Sequence, residues 1–269
     1  MHTPDNGFKL ALKGRDTLVG LWLGLANSYA AEVVAGAGFD WLLVDGEHAP
    51  NDLTAMLAIL QAIAAYPVHA AVRVPDSNPT FIKQVLELGA TTLLVPMVGS
   101  AEHARELVRA VRYPPTGIRG VGSGLARSAR FGRYTDYLKR ANDTVCLLVQ
   151  IETATAAANA AAIAAVEGVD GVLLGPSDLA ASMGLLGQPA HADVRALVEQ
   201  TIRATVAAGK AAGVFCADEA LARHYVSIGA RFVALGADSS ILAAATTALA
   251  QRFKQASAAR PPSPASSGY

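Results

Sequence analysis

Neither sign of charge is in excess in this chain: Lys plus Arg equals Asp plus Glu at 22 each. That balance argues against a general nucleic-acid or anionic-membrane partner. Cysteine is scarce too. Cys146 and Cys216 are too few for a disulfide framework, and both sit in apolar runs, as reduced core residues of a cytoplasmic protein do. No uninterrupted apolar stretch approaches the ~20 residues of a membrane span, and the N-terminal MHTPDNGFKLALKGRD lacks the apolar segment of a signal peptide. The lysines are Lys9, Lys13, Lys83, Lys139, Lys210 and Lys254, none at the end of an apolar run, so imine chemistry has no amine to use. Neither cysteine has a CxxC partner or a neighbouring His, which weakens thiol catalysis and a thiolate zinc site. The glycines of RGVGSGLARSARFGR (119–133) follow no strand directly and fit no Walker pattern. The stretch reads as a long loop after the fourth strand, a lid with arginines for a second anionic group.

What the chain has is apolar residue, 52% against 16% charged, enough to exclude disorder over most of its length. Short β-rich runs alternate with Ala-rich helical stretches throughout. The strands are expected at 18–25, 41–45, 69–74, 91–96, 145–151, 170–175, 213–216 and 231–236. Helices are expected at 28–37, 52–65, 79–88, 100–111, 153–166, 193–208, 217–227 and 238–256. The strands are nearly continuous in apolar residues rather than alternating, as a parallel sheet covered on both faces requires. Eight β-then-α units predict a single-domain (β/α)8 TIM barrel over 1–256, with a doubly wound open sheet as the competing arrangement. The Pro- and Ser-rich stretch 257–269 reads as a flexible tail. The last helix, DSSILAAATTALAQRF, is apolar on more than one face and needs cover beyond its own barrel, so a homo-oligomer is expected.

In such a barrel the C-terminal ends of the strands carry function. Trp22 lies near the end of the first strand, Asp45, Glu47 and His48 follow the second, and Arg73 ends the third. Gln150 and Glu152 end the fifth, and Ser177 and Asp178 follow the sixth. Glu152 and Asp178 each serve equally well as helix caps when taken alone. Together, on adjacent strands, they suggest a site for a hard cation such as Mg2+ or Mn2+. A buried Arg73 calls for an anion, either a substrate carboxylate or a neighbouring Asp. His48 beside carboxylates is a general acid/base candidate. Trp22 reads as core or as an aromatic wall for a small organic ligand.

The motifs GLWLGL, LLVDGEHAPN, AVRV, TLLVPMV, YPPTGIRGVG, VQIET and GPSDLAASMG resemble the metal-dependent class II pyruvate aldolases over about residues 8 to 254. The resemblance implies a (β/α)8 barrel, a homo-hexamer of dimers that exchange their last helix, and a divalent ion (Mg2+, Mn2+ or Co2+). It implies retro-aldol cleavage of a 4-hydroxy-2-oxo acid to pyruvate and an aldehyde through an enolate. By motif match, Glu152 and Asp178 would hold the metal, Gln150 and Ser177 would touch the pyruvate moiety, His48 would be the acid/base and Arg73 would stabilise developing charge. An acidic partner for the His matches Glu87, where close relatives carry Asp, and Asp45 is a second candidate. Substrates within the family include 4-hydroxy-2-oxoheptane-1,7-dioate, 2-dehydro-3-deoxyglucarate and 2-keto-3-deoxy-rhamnonate. A non-catalytic small-acid binder on the same scaffold is the alternative from another class.

Overall fold

The computed structural model describes residues 1–258. The expected tail therefore lies, from residue 259 on, outside the described residues. Eight parallel strands close into a barrel in chain order. They are β1 (Leu18–Leu23), β2 (Trp41–Asp45), β3 (His69–Arg73), β4 (Thr92–Val95), β5 (Cys146–Ile151), β6 (Gly171–Leu174), β7 (Ala211–Phe215) and β8 (Ala230–Ala237). Pairing of β1 with β8 shuts the barrel and removes the open-sheet alternative. The helices are α1 (Gly7–Ala11), α2 (Ser28–Ala35), α3 (Leu53–Ala62), α4 (Pro79–Glu87), α5 (Ala101–Val111), α6 (Tyr137–Thr144), α7 (Ala154–Ala158), α8 (Ala160–Ala164), α9 (Pro176–Ser182), α10 (Ala192–Ala207), α11 (Glu219–Ser227) and α12 (Asp238–Ala258). Among the described residues no helix is long and apolar enough to cross a membrane.

Strand parity divides the core in two. Leu42, Val44, Val72, Val149 and Val172 point outward and join the helices in one cluster. Leu18, Trp41, Leu43, Ala71, Cys146, Leu148 and Phe232 point inward and fill the barrel. Because side chains alternate along a strand, the next inward positions toward the C-terminal ends are Trp22, Asp45, Arg73, Gln150 and Glu152. The inner apolar layers thus form the floor of a polar mouth.

Three elements depart from the expected pattern. Helix α1 is too short to announce itself by periodicity, yet it seats Phe8 under the barrel, 5.7 Å from Trp41 and 6.0 Å from Phe232 between ring centroids. The single helix expected at 153–166 breaks into α7 and α8 at Asn159, whose side chain instead donates to the Gly99 carbonyl at 3.2 Å. The loop 119–133 follows α5, not β4, so it is not a strand-end lid in this chain. Arg127 ties it to the carbonyls of Leu88 and Leu60, just beyond α4 and near the end of α3.

Candidate active site

The β2–β3 register sets Asp45 beside Arg73. The Arg73 side chain is buried, and its Nε and Nη2 donate to the two Asp45 oxygens, each at 2.8 Å. Arg73 Nη1 lies 2.6 Å from Glu47 Oε2 as an ion pair, without the alignment of a hydrogen bond. Glu47 was legible only as one of the charges after β2, yet it is the acid that touches both Arg73 and the His48 ring, 3.8 Å from Nε2. The turn that allows this depends on Gly46. Its amide donates to the Arg73 carbonyl at 2.9 Å, and a Cβ there would come within 2.7 Å of that same oxygen. Asp45 Oδ1 also accepts from the backbone N–H of Glu47 at 3.0 Å and of His48 at 3.4 Å. Asp45 therefore holds the loop that carries His48 rather than pairing with its ring. Asn51 Nδ2 donates to the carbonyls of Leu23 and Asp45 and ties the ends of β1 and β2 together.

Across the mouth, Glu152 is buried and both its oxygens are used. Oε1 accepts from Gln150 Nε2 at 2.7 Å and Oε2 from the Met97 amide at 2.8 Å. Met97 adopts a left-handed backbone, φ 55°, to aim that amide. Gly175 admits Glu152, since a Cβ there would sit 3.1 Å from its carboxylate. Ser177 and Asp178 lie exposed in the first turn of α9. Trp22 stacks on the Arg73 guanidinium at 4.2 Å and meets Phe215 edge-on at 4.9 Å, forming one wall. His48 is the outermost member, its side chain 65% exposed.

The electrostatics follow from burial and sign. Burial pushes the Asp45 carboxyl up, but the hydrogen bonds and charge of Arg73, with the two amides, outweigh it and hold the group below its ordinary value. Burial raises Glu47, helped by Asp45 and Asp178 and opposed by Arg73 and His48. Burial also raises Glu152 to about 7; Glu47 and Asp178 add to the rise, while the Met97 amide and Arg73 oppose it. Four carboxylates and one guanidinium interact here, a formal sum of −3 when all are ionised.

Glu87 stands elsewhere. It ends α4, which runs from the C-terminal end of β3 back toward the start of β4, so one chain does not bring it to His48. Its carboxylate accepts from Arg119 at 2.8 Å, Ser128 at 2.8 Å and the Tyr113 hydroxyl at 3.4 Å. Among the described residues no three His, Cys, Asp or Glu side chains gather as a ready metal cage. Glu152 and Asp178 fit a hard cation as a two-carboxylate set that leaves other positions for substrate and water oxygens. Burial chiefly, with the charges of Glu47 and Asp178, raises Glu152, and a bound cation would offset that cost.

The family model described as HpcH/HpaI aldolase/citrate lyase matches residues 18–245. A hydroxypyruvate/pyruvate aldolase of Deinococcus radiodurans is 58% identical over 253 residues, 94% of this chain and 91% of that protein. A 4-hydroxy-2-oxo-heptane-1,7-dioate aldolase of Escherichia coli is 56% identical over 258 residues, 96% of this chain and 98% of the other. The crystal structure of an HpcH/HpaI aldolase/citrate lyase family protein from Burkholderia cenocepacia superposes with a TM-score of 0.89 at 42% identity, covering 93% of this chain and 99% of that one.

Proposed function

This chain belongs to the HpcH/HpaI aldolase/citrate lyase family, and from that premise we propose that it is a carbon–carbon lyase cleaving 4-hydroxy-2-oxo acids to pyruvate and an aldehyde. With 4-hydroxy-2-oxoheptane-1,7-dioate the aldehyde is succinic semialdehyde. The observation that carries the reading is Arg73, buried and held in plane by Asp45 at the ends of β2 and β3. Asp45 takes two of its five N–H groups and Glu47 pairs with Nη1, leaving the second Nη2 hydrogen and the fixed positive charge for an oxygen that gains charge as the C3–C4 bond breaks. Gln150 and the exposed first turn of α9 at Ser177 orient the pyruvate half. His48, at the open rim, takes the proton of the 4-hydroxyl. Glu47 sits 3.8 Å from its ring.

Glu152 and Asp178 would hold the divalent cation. Bound there, it would supply Lewis-acid polarisation of the 2-oxo group and would offset two of the three formal negative charges of the site. EDTA is expected to abolish pyruvate release, and Mg2+, Mn2+ or Co2+ to restore it. Full turnover in protein shown by elemental analysis to be metal-free overturns this. A second reading has specific support in the Deinococcus radiodurans relative: hydroxypyruvate as the aldol donor. Condensation assays pairing pyruvate or hydroxypyruvate with succinic semialdehyde and sugar-derived aldehydes separate the two and rank the aldehyde. The unpaired, buried cysteines agree with a cytoplasmic setting.

The assembly is a homo-oligomer, a hexamer of helix-exchanging dimers. On α12, Ile241, Leu242 and Leu249 are each more than half exposed. Between α11 and the closing strands β1 and β8 an apolar groove of about 430 Å³, lined by Val19, Val226, Val233 and Leu235, lies open. One chain thus displays both an unburied helix and an uncovered groove, and exchange between copies fills both. Light scattering at micromolar concentration is expected to give a mass near six chains. A monomer contradicts the assembly and leaves the chemistry standing.

A further inference from the structure

At the end of the barrel remote from the mouth, the starts of β6, β7 and β8 and the chain after α1 enclose a cavity of about 520 Å³. Four cationic side chains line it, Lys9, Lys13, Lys210 and Arg231, against a single carboxylate, Asp170. In a chain whose charges balance overall, this is a local formal excess of +3. Two of the ammonium groups are fixed by neutral carbonyls: Lys9 donates to the Val145 carbonyl at 2.7 Å and Lys210 to the Val169 carbonyl at 2.6 Å. Carbonyls hold these heads in place without cancelling their charge. Asp170 lies 3.3 Å from Lys9, but its other oxygen is spent on the Leu147 amide at 2.9 Å. Arg231 donates to the Asp16 carbonyl at 3.5 Å, and Lys13 is exposed.

We infer that this cavity binds a small dianion, a phosphate or a dicarboxylate, at a site separate from the catalytic mouth. Like charges gathered around a concave wall repel one another, and the anion that enters offsets that cost while gaining charge-assisted hydrogen bonds. The packed barrel interior, with Phe8 beneath it, lies between this cavity and Arg73. A ligand here therefore does not compete with pyruvate.

Calorimetric titration of the metal-loaded protein under saturating pyruvate, with inorganic phosphate and separately with succinate, tests the site. At least one anion is expected to bind, more weakly as NaCl rises. Lys13→Gln/Arg231→Gln is expected to weaken binding about ten-fold or more, through the loss of two charge-assisted contacts. Lys13→Glu, a change at an exposed position, is expected to weaken it in the same direction. Arg105→Gln, on the far surface of α5, leaves it unchanged, and kcat stays at the wild-type value in all three. Binding of phosphate alone assigns the phosphate class, and binding of succinate alone the dicarboxylate class. No binding of either at ~10 mM, binding lost when pyruvate is added, or binding undiminished in both Lys13 variants overturns the inference.

Discussion

Arg73→Ala is expected to lower retro-aldol turnover by about 10²–10³ or more, the scale of removing a preorganised oxyanion donor. It is also expected to abolish the exchange of pyruvate methyl protons with solvent, because enolisation needs the same positive charge without any aldehyde. Deuterium uptake followed by NMR reads the second activity independently of the first. The substitution carries a structural cost as well. Asp45 and Glu47 lose the guanidinium that holds both, and breaking a buried pair in this way costs about 3–5 kcal/mol, visible as a shift in the urea midpoint. Arg73→Lys separates the two effects. It restores a charge near Asp45 but not the two-point grip that fixes the plane, so stability is expected to recover further than turnover. Exchange at the wild-type rate in a folded Arg73→Ala protein removes this residue from the chemistry.

His48→Ala is expected to behave differently. The ring is largely exposed, so stability should change by no more than about 0.5 kcal/mol. Cleavage should fall by about 10²–10⁴, within the range of general acid/base catalysis, while methyl-proton exchange survives at least in part. Equal loss of both activities places the imidazole at the methyl group instead of the 4-hydroxyl. Unimpaired cleavage takes it out of the mechanism. Glu47→Gln, which keeps the shape and removes the charge 3.8 Å from the ring, gives the intermediate case.

The barrel was legible because its strands are continuous apolar runs and several helices open on side chains suited to capping, Asp52, Ser100 and Thr153 among them. The mouth was legible because parity along a strand is rigid. Once Trp41 and Leu43 are core, Asp45 must succeed them inward; once Cys146 and Leu148 are core, so must Gln150 and Glu152. The turn beyond a strand has no such period. The pairing of Glu47 with Arg73 depends on the turn at Gly46, and nothing in the spacing of LLVDGEHAP distinguishes Asp45 from Glu47 as neighbour of the ring. Glu87 is a different case. The resemblance offered it as an acidic partner for His48, and within one chain the direction of α4 carries it instead to Arg119 and Ser128. Helix α1 escaped because five residues are less than two turns.

Met97 does no chemistry, yet its position is narrowly constrained. Its left-handed backbone, with φ at 55°, points one amide at Glu152 Oε2, and its side chain is more than half exposed. Such a conformation is strained for any residue with a Cβ and worst for a branched one. Glycine or asparagine can stand there at little cost, whereas valine or isoleucine would swing the amide away and leave a buried carboxylate without that donor. The demand at this surface position is thus for a torsion angle rather than for a side chain, and tolerance of substitutions at position 97 is expected to follow backbone preference.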